Sequence, residues 1–118
     1  IVKPDQVFNR IHVDDIASAV IAAIERPSAG RVYNVTDDEP GPPQDVVNFA
    51  AQLLKRPEPP ALDFATAELS PMARSFYSEN KRVSNARMKA ELGIQLKYPD
   101  YREGLTAIAR SRPEKMPG

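Results

Sequence analysis

The sequence predicts a small α/β fold with few short strands and about four to five helices. Three observations predict it. Short β-branched and aromatic runs alternate with segments whose apolar residues recur at helical spacing. The 12 prolines and 5 glycines of the 118 residues fall mostly at the edges of those runs. The composition, 42% hydrophobic and 27% charged, is that of an ordinary globular chain. This length predicts one domain with one core, over residues 1–112, followed by a flexible tail at 113–118.

The elements follow in order. Val7-Phe8-Asn9-Arg10-Ile11-His12-Val13 reads as a short strand, with Val7, Ile11 and Val13 on one face and Arg10 and His12 on the other. A helix is expected from about Val13 to Glu25, buried through Val13, Ile16, Ala17, Val20 and Ile24. Asp14 and Asp15 lie in its first turn, where the helix dipole favours negative charge. With His12 as N-cap, Asp15 is placed to reach back to the backbone N–H of His12, as in a capping box. Pro27 and Gly30 end this helix, and Arg31 to Thr36 form a second strand.

Pro42-Pro43 opens a second helix, because proline is tolerated in a first turn. Its apolar face is Val46, Val47, Ala50, Leu53 and Leu54. A third short strand is expected near Leu62-Asp63-Phe64, then a short helix from Pro71 through Phe76-Tyr77. Asn85 is a good N-cap for a helix from Ala86 to Leu92, closed by Gly93. Asp100 and Glu103 give a capping pattern for a last helix, Tyr101 to Arg110, with Tyr101, Leu105 and Ile108 inward. Strand, helix, strand, helix, strand suggests α/β packing with a parallel element, although two full strands make no stable sheet alone.

Several function classes are excluded or disfavoured. Without cysteine there is no disulfide, thiolate zinc site or cysteine nucleophile. With His12 as the single histidine, a metal site is not expected. No apolar run approaches the roughly 18 residues of a membrane span, so no membrane partner is expected. The first residues lack a basic and an apolar signal region, and a cytoplasmic location is the expectation. Net charge is zero, but residues 1–70 carry 6 basic and 11 acidic side chains, whereas residues 71–118 carry 10 and 5. The basic part suits an anionic ligand or a solvated helical surface. Nucleic acid is not favoured, because no aromatic-rich basic stripe or helix-turn-helix signal is present.

Four stretches carry a resemblance. Arg10-Ile11-His12-Val13-Asp14-Asp15-Ile16-Ala17 is followed by Gly30-Arg31-Val32-Tyr33-Asn34-Val35, and then by the helix of Pro40 to Leu54. Last come Asn80-Lys81-Arg82-Val83-Ser84-Asn85, Glu91-Leu92-Gly93 and Tyr98-Pro99-Asp100-Tyr101-Arg102-Glu103-Gly104-Leu105. In this order they resemble the late motifs of extended and atypical short-chain dehydrogenase/reductases, the class of nucleotide-sugar epimerases and dehydratases. The resemblance spans nearly all of residues 7–110. It implies the C-terminal, substrate-side portion of an NAD(P)-binding Rossmann-fold enzyme. That family holds NAD or NADP on a Gly-rich turn and uses a Tyr-x-x-x-Lys pair upstream of the I-H-V segment. Neither is expected here, so the fragment is predicted to bind no cofactor, to supply no catalytic residue and to turn nothing over alone. Its expected partners are a small-molecule substrate, with a nucleotide-sugar as the family's usual one, and the missing N-terminal Rossmann half. Apolar surface meant for that half would favour a homo-oligomer.

Tyr77-Ser78-Glu79-Asn80-Lys81 does spell Tyr-x-x-x-Lys. It lies downstream of I-H-V and runs into an extended stretch, which argues against the catalytic reading. Six residues are candidates for substrate binding. Arg10 and His12 face one way and could meet an anion; alternatively Arg10 pairs with Asp14 or Asp15 and His12 caps the helix. The family's diphosphate-contacting Arg falls on Phe8 here, which the resemblance leaves without that role. Arg74, Tyr77, Lys81 and Arg82 form the second group, where Arg would fork onto phosphate or carboxylate and Tyr would stack. Alternatively Lys81 and Arg82 are surface charges, and Phe76 and Tyr77 pack into the core. A stand-alone binding or oligomerisation module without catalysis is the competing function.

Overall fold

The computed structural model describes residues 1–27 and 30–111. The expected tail, 113–118, lies outside the described residues. Five helices form: α1 (Val13–Glu25), α2 (Pro43–Leu53), α3 (Pro71–Ser75), α4 (Ala86–Leu92) and α5 (Tyr101–Arg110). The bounds of α1, α4 and α5 are those expected from the sequence, α2 opens at its prolines, and α3 ends at Ser75, two residues short of the expected Tyr77. Ser70 Oγ accepts from the Ala73 N–H to start α3, and Asp100 Oδ1 accepts from the Glu103 N–H to start α5. Gly93 ends α4 at φ +66°, in the left-handed region. A Cβ there would also come within 2.9 Å of the Arg26 guanidinium.

The strands do not form as expected. Among the described residues there are two isolated bridges, Val2 with Asp63 (parallel) and Phe8 with Gly41 (antiparallel). The N–H groups of Val32 to Thr36 make no backbone hydrogen bond among the described residues. A strand needs a neighbour for its ladder, and the described residues supply none to that segment. Side-chain amides take over part of the ladder's role elsewhere. Gln6 donates to Glu79 O, Asn80 accepts from Val7 N–H, and Asn80 donates to Asp5 O. Asn9 donates to Lys81 O and accepts from Val83 N–H. Residues 5–9 and 79–83 are thereby laced together across the chain.

The core is thin. Ala19, Met88, Leu92 and Ile94 form its buried cluster, with Ala22, Tyr33, Val35 and Leu96 packed against it. Met88, Gln6 and Asp15 are the largest fully buried side chains, so two of the three are polar. The molecule measures 45 × 39 × 20 Å, with a radius of gyration of 16.8 Å. A globular chain of this length should have about 13–14 Å.

The largest departure from expectation is the face of α1. Its buried residues are Asp15 and Ala19, packed toward α4. The expected core stripe points outward: Val13, Ile16, Ala17, Val20 and Ile24 are all exposed, Val20 by 53% and Ile24 by 73%. Ile108 of α5 is likewise exposed rather than inward. Helical periodicity marks which residues share a face, but not whether this chain carries the surface that covers it.

Three local expectations also change. Asp15 does not reach back to the His12 N–H; its two carboxylate oxygens accept from the Lys97 and Tyr98 N–H groups. Asn85 does not cap α4 with its side chain, because its Nδ2 donates to Thr36 O and Asp38 Oδ1, and Ser84 Oγ accepts from the Ala86 N–H instead. Phe76 is not core, standing exposed beyond α3.

Candidate functional site

The extended segment from Phe8 to His12 separates two groups of candidate residues. On one side, Arg10 lies half-buried beside Asp37 and Tyr101. Its Nη1 donates to Gly41 O at 3.0 Å and to Phe8 O at 3.2 Å. The Asp37 N–H donates to Arg10 O, and Asp37 Oδ1 accepts from the Glu39 N–H. Burial lowers the Arg10 pKa, opposed by the charges of Asp37 and Tyr101. Burial likewise raises Asp37 to about 6, opposed by the Glu39 N–H and by Arg10. Arg10 thus does not pair with Asp14 or Asp15. It clamps the loop at Gly41 onto the segment that begins α1.

His12 takes the capping role. Its Nδ1 accepts from the Asp14 N–H at 3.0 Å, and its ring lies 4.2 Å from that of Tyr98. Gly104 of α5 lies beside it, a Cβ built there standing 3.4 Å from His12 Cδ2. A small cavity of about 110 Å³ lies among Arg10, His12, Asp37, Tyr101 and Leu105. That volume holds a few waters at most.

On the other side, aromatic rings connect the second group. Phe8 meets Tyr77 edge-on at 5.5 Å, and Tyr77 lies 5.2 Å from Phe64. The Arg74 guanidinium covers the far side of this stack, 4.6 Å from the Phe64 ring centre, and donates to Ala67 O at 2.9 Å. The Lys3 ammonium donates to Tyr77 O and lies 5.0 Å from the Phe64 ring centre. Lys81 and Arg82 are exposed, and Lys81 pairs with Glu79 at 3.0 Å. The structure therefore brings Arg74 and Tyr77 together through Phe64, and leaves Lys81 and Arg82 apart from the stack. Tyr77 lies past the end of α3, and Lys81 lies in a segment without regular structure. The two do not share a helical turn.

Between Phe8 and α3 opens a cleft of about 580 Å³, lined by Phe8, Asn9, Met72, Ala73, Phe76 and Tyr77, with Ser70 at its edge. Of these residues the sequence singled out only Tyr77 for binding. The i, i+4 pair of Met72 and Phe76 was the available signal, because that spacing places two large apolar groups on one side of a short helix. Among the described residues, no group of three or more His, Asp or Glu side chains could hold a metal ion. No helix among them is long and apolar enough to cross a membrane.

No family model matches the chain. It is 32% identical over 104 residues to a 3-diazoavenalumate denitrifying reductase from Streptomyces, covering 84% of this chain and 33% of that protein. It is 33% identical over 104 residues to the chloroplastic epimerase family protein SDR39U1 homolog of Arabidopsis thaliana, covering 87% of this chain and 30% of that protein. A functionally unknown conserved protein from Silicibacter pomeroyi has a solved structure that is 62% identical, with a TM-score of 0.90 over 92% of this chain and 39% of its own. The chain spans about a third of the length of the curated relatives it matches. Their names support kinship with the epimerase and short-chain dehydrogenase/reductase superfamily.

Proposed function

We propose that this chain is the substrate-binding, C-terminal part of an NAD(P)-dependent epimerase/dehydratase- or reductase-like oxidoreductase, with the cofactor turn and the catalytic residues on chain outside these 118 residues. The uncovered apolar face of α1 carries the reading. Val13, Ile16, Val20, Ile21 and Ile24 are exposed along one helix, and the N–H groups of Val32 to Thr36 have no backbone partner among the described residues. Contiguous apolar surface of this kind marks a contact to be made.

The residues present do not fit a dinucleotide. A pyrophosphate needs clustered glycines at a helix N-terminus. Here Gly41 abuts the Tyr101 ring, Gly93 closes α4, and Gly104 is buried within α5 against His12. In the proposed parent, NAD or NADP would remove and return a hydride elsewhere. This chain would position the substrate through the cleft beside α3, while the Arg10–Asp37 and His12–Tyr98 contacts hold that cleft's frame.

The test is an NADPH fluorescence titration of the isolated chain and of the full-length protein that carries it. The expected result is a saturable rise with the full-length protein alone. A stoichiometric rise with the 118-residue chain would overturn the division of labour. A second reading, an oligomerisation module without catalysis, draws on the same α1 face. A full-length protein that dimerises through that face without binding NAD(P)H would establish it.

A further inference from the structure

We propose that the cleft between Phe8 and α3 binds an uncharged, planar aromatic part of the substrate rather than a phosphate-bearing one. This deepens the proposed function and rests on its reading of the chain as a substrate side.

The walls and the nearby charges argue it together. The volume of about 580 Å³ is that of a small-molecule site. Its lining is apolar, and two of the largest groups stand exposed, Met72 by 73% and Phe76 by 65%. Exposed thioether and ring at i, i+4, one on α3 and one just past its end, gain nothing for folding while they face water, but both gain on contact with a flat apolar ligand. Phe8 and Tyr77, already paired edge-on, present further ring surface.

The polar groups at hand are engaged in other work. The Asn9 amide is spent on Lys81 O and the Val83 N–H. Ser70 Oγ caps α3. No Arg or Lys lines the cleft among the described residues. Elsewhere, Arg74 lies on Phe64 and holds Ala67 O, and Lys3 holds Tyr77 O. Arg10 holds Phe8 O and Gly41 O, and Lys81 pairs with Glu79. A diphosphate in this cleft would lose its hydration without gaining a charged fork. An aromatic ring needs neither.

The experiment uses the full-length protein with 2-naphthol as a neutral aromatic probe and inorganic pyrophosphate as the anionic competitor, both followed by ligand-observed NMR. Phe76→Glu and Met72→Glu are separate variants, circular dichroism and urea unfolding check their folding, and Phe76→Leu keeps the apolar bulk without the ring. The expected result is 2-naphthol binding that weakens about tenfold or more in each Glu variant, weakens in Phe76→Leu, and is not displaced by pyrophosphate. Displacement by pyrophosphate, or binding indifferent to the substitutions, overturns the inference. NADPH binding is measured on the same samples. Its absence from the full-length protein would strike the parent reading, whereas its presence with indifferent naphthol binding strikes this inference alone.

Discussion

Asp15 in the first turn of α1 holds Tyr98, 83 residues further along the chain, by accepting its N–H at 3.0 Å. The second carboxylate oxygen accepts from the Lys97 N–H at 2.9 Å. Asp15 is 1% exposed, and the His12 ring lies on the Tyr98 ring next to it. The I-H-V-D-D segment therefore does two jobs. It starts α1, and it fastens the turn that leads into α5.

Asp15→Ala leaves two backbone N–H groups without their acceptors in a buried place. The expected cost is about 3–4 kcal/mol in urea unfolding, and roughly 2 kcal/mol for Asp15→Asn, which keeps one acceptor oxygen. A loss below about 1 kcal/mol for the alanine variant would mean that water satisfies both donors.

His12 separates a structural role from a substrate one. If capping is its work, His12→Asn keeps most of the stability and His12→Ala costs about 1 kcal/mol. In the proposed parent oxidoreductase, the Michaelis constant should stay unchanged in the asparagine variant. A raised constant with unchanged unfolding would return His12 to the substrate.

Asp37 predicts a pH dependence of stability. Its folded pKa is raised from 3.8 to about 6, mainly by burial, with Asp38 and Asp100 adding to the rise and Arg10 opposing it. The folded state then binds more protons than the unfolded state between those two values, so stability falls as pH rises from about 4 to 6. The expected loss is on the order of 2 kcal/mol. Asp38 acts with the opposite sign: Asn85 and Lys89 lower its pKa, so its contribution is present above pH 4 and fades as pH falls further. Asp37→Asn keeps the acceptor for the Glu39 N–H and removes the titration. Urea midpoints from pH 4 to 7 should slope in the native chain and flatten in the variant; equal slopes would contradict the assignment.

The helices were legible in the sequence because local signals fix them. Proline at the start of α2 and α3, Asp100 before α5 and Gly93 after α4 each act through their own neighbours. The partners of Asp15, Asn85 and Arg10 were not legible, since each reaches a backbone group brought close by the fold alone. The α1 stripe was legible as a face but not as an exposed one, because its cover is not a local property. The strands failed for the same reason: Arg31 to Thr36 has strand composition and no neighbour among the described residues. At the candidate site, Tyr77 stood out by type, while Met72, Phe76 and Phe8 gave no signal that separates a cleft wall from a core.

The exposed α1 face should make the isolated chain self-associate, by contact with a second copy. Val20→Glu and Ile24→Lys should lower its light-scattering mass toward 13.1 kDa without loss of helix. Both should weaken the full-length protein, where the same face is proposed to be covered. Unchanged scattering would remove this face from any contact.

Hydrogen exchange at Val32 to Thr36 tests the central claim most directly. These N–H groups have no backbone partner among the described residues, and the proposal gives them one in the longer protein. The isolated chain should exchange them almost as fast as an unfolded peptide, and the full-length protein should protect them by about a hundredfold or more. Equal exchange in both would contradict the claim that this chain is completed by a second half along α1 and the extended segment of Val32 to Thr36.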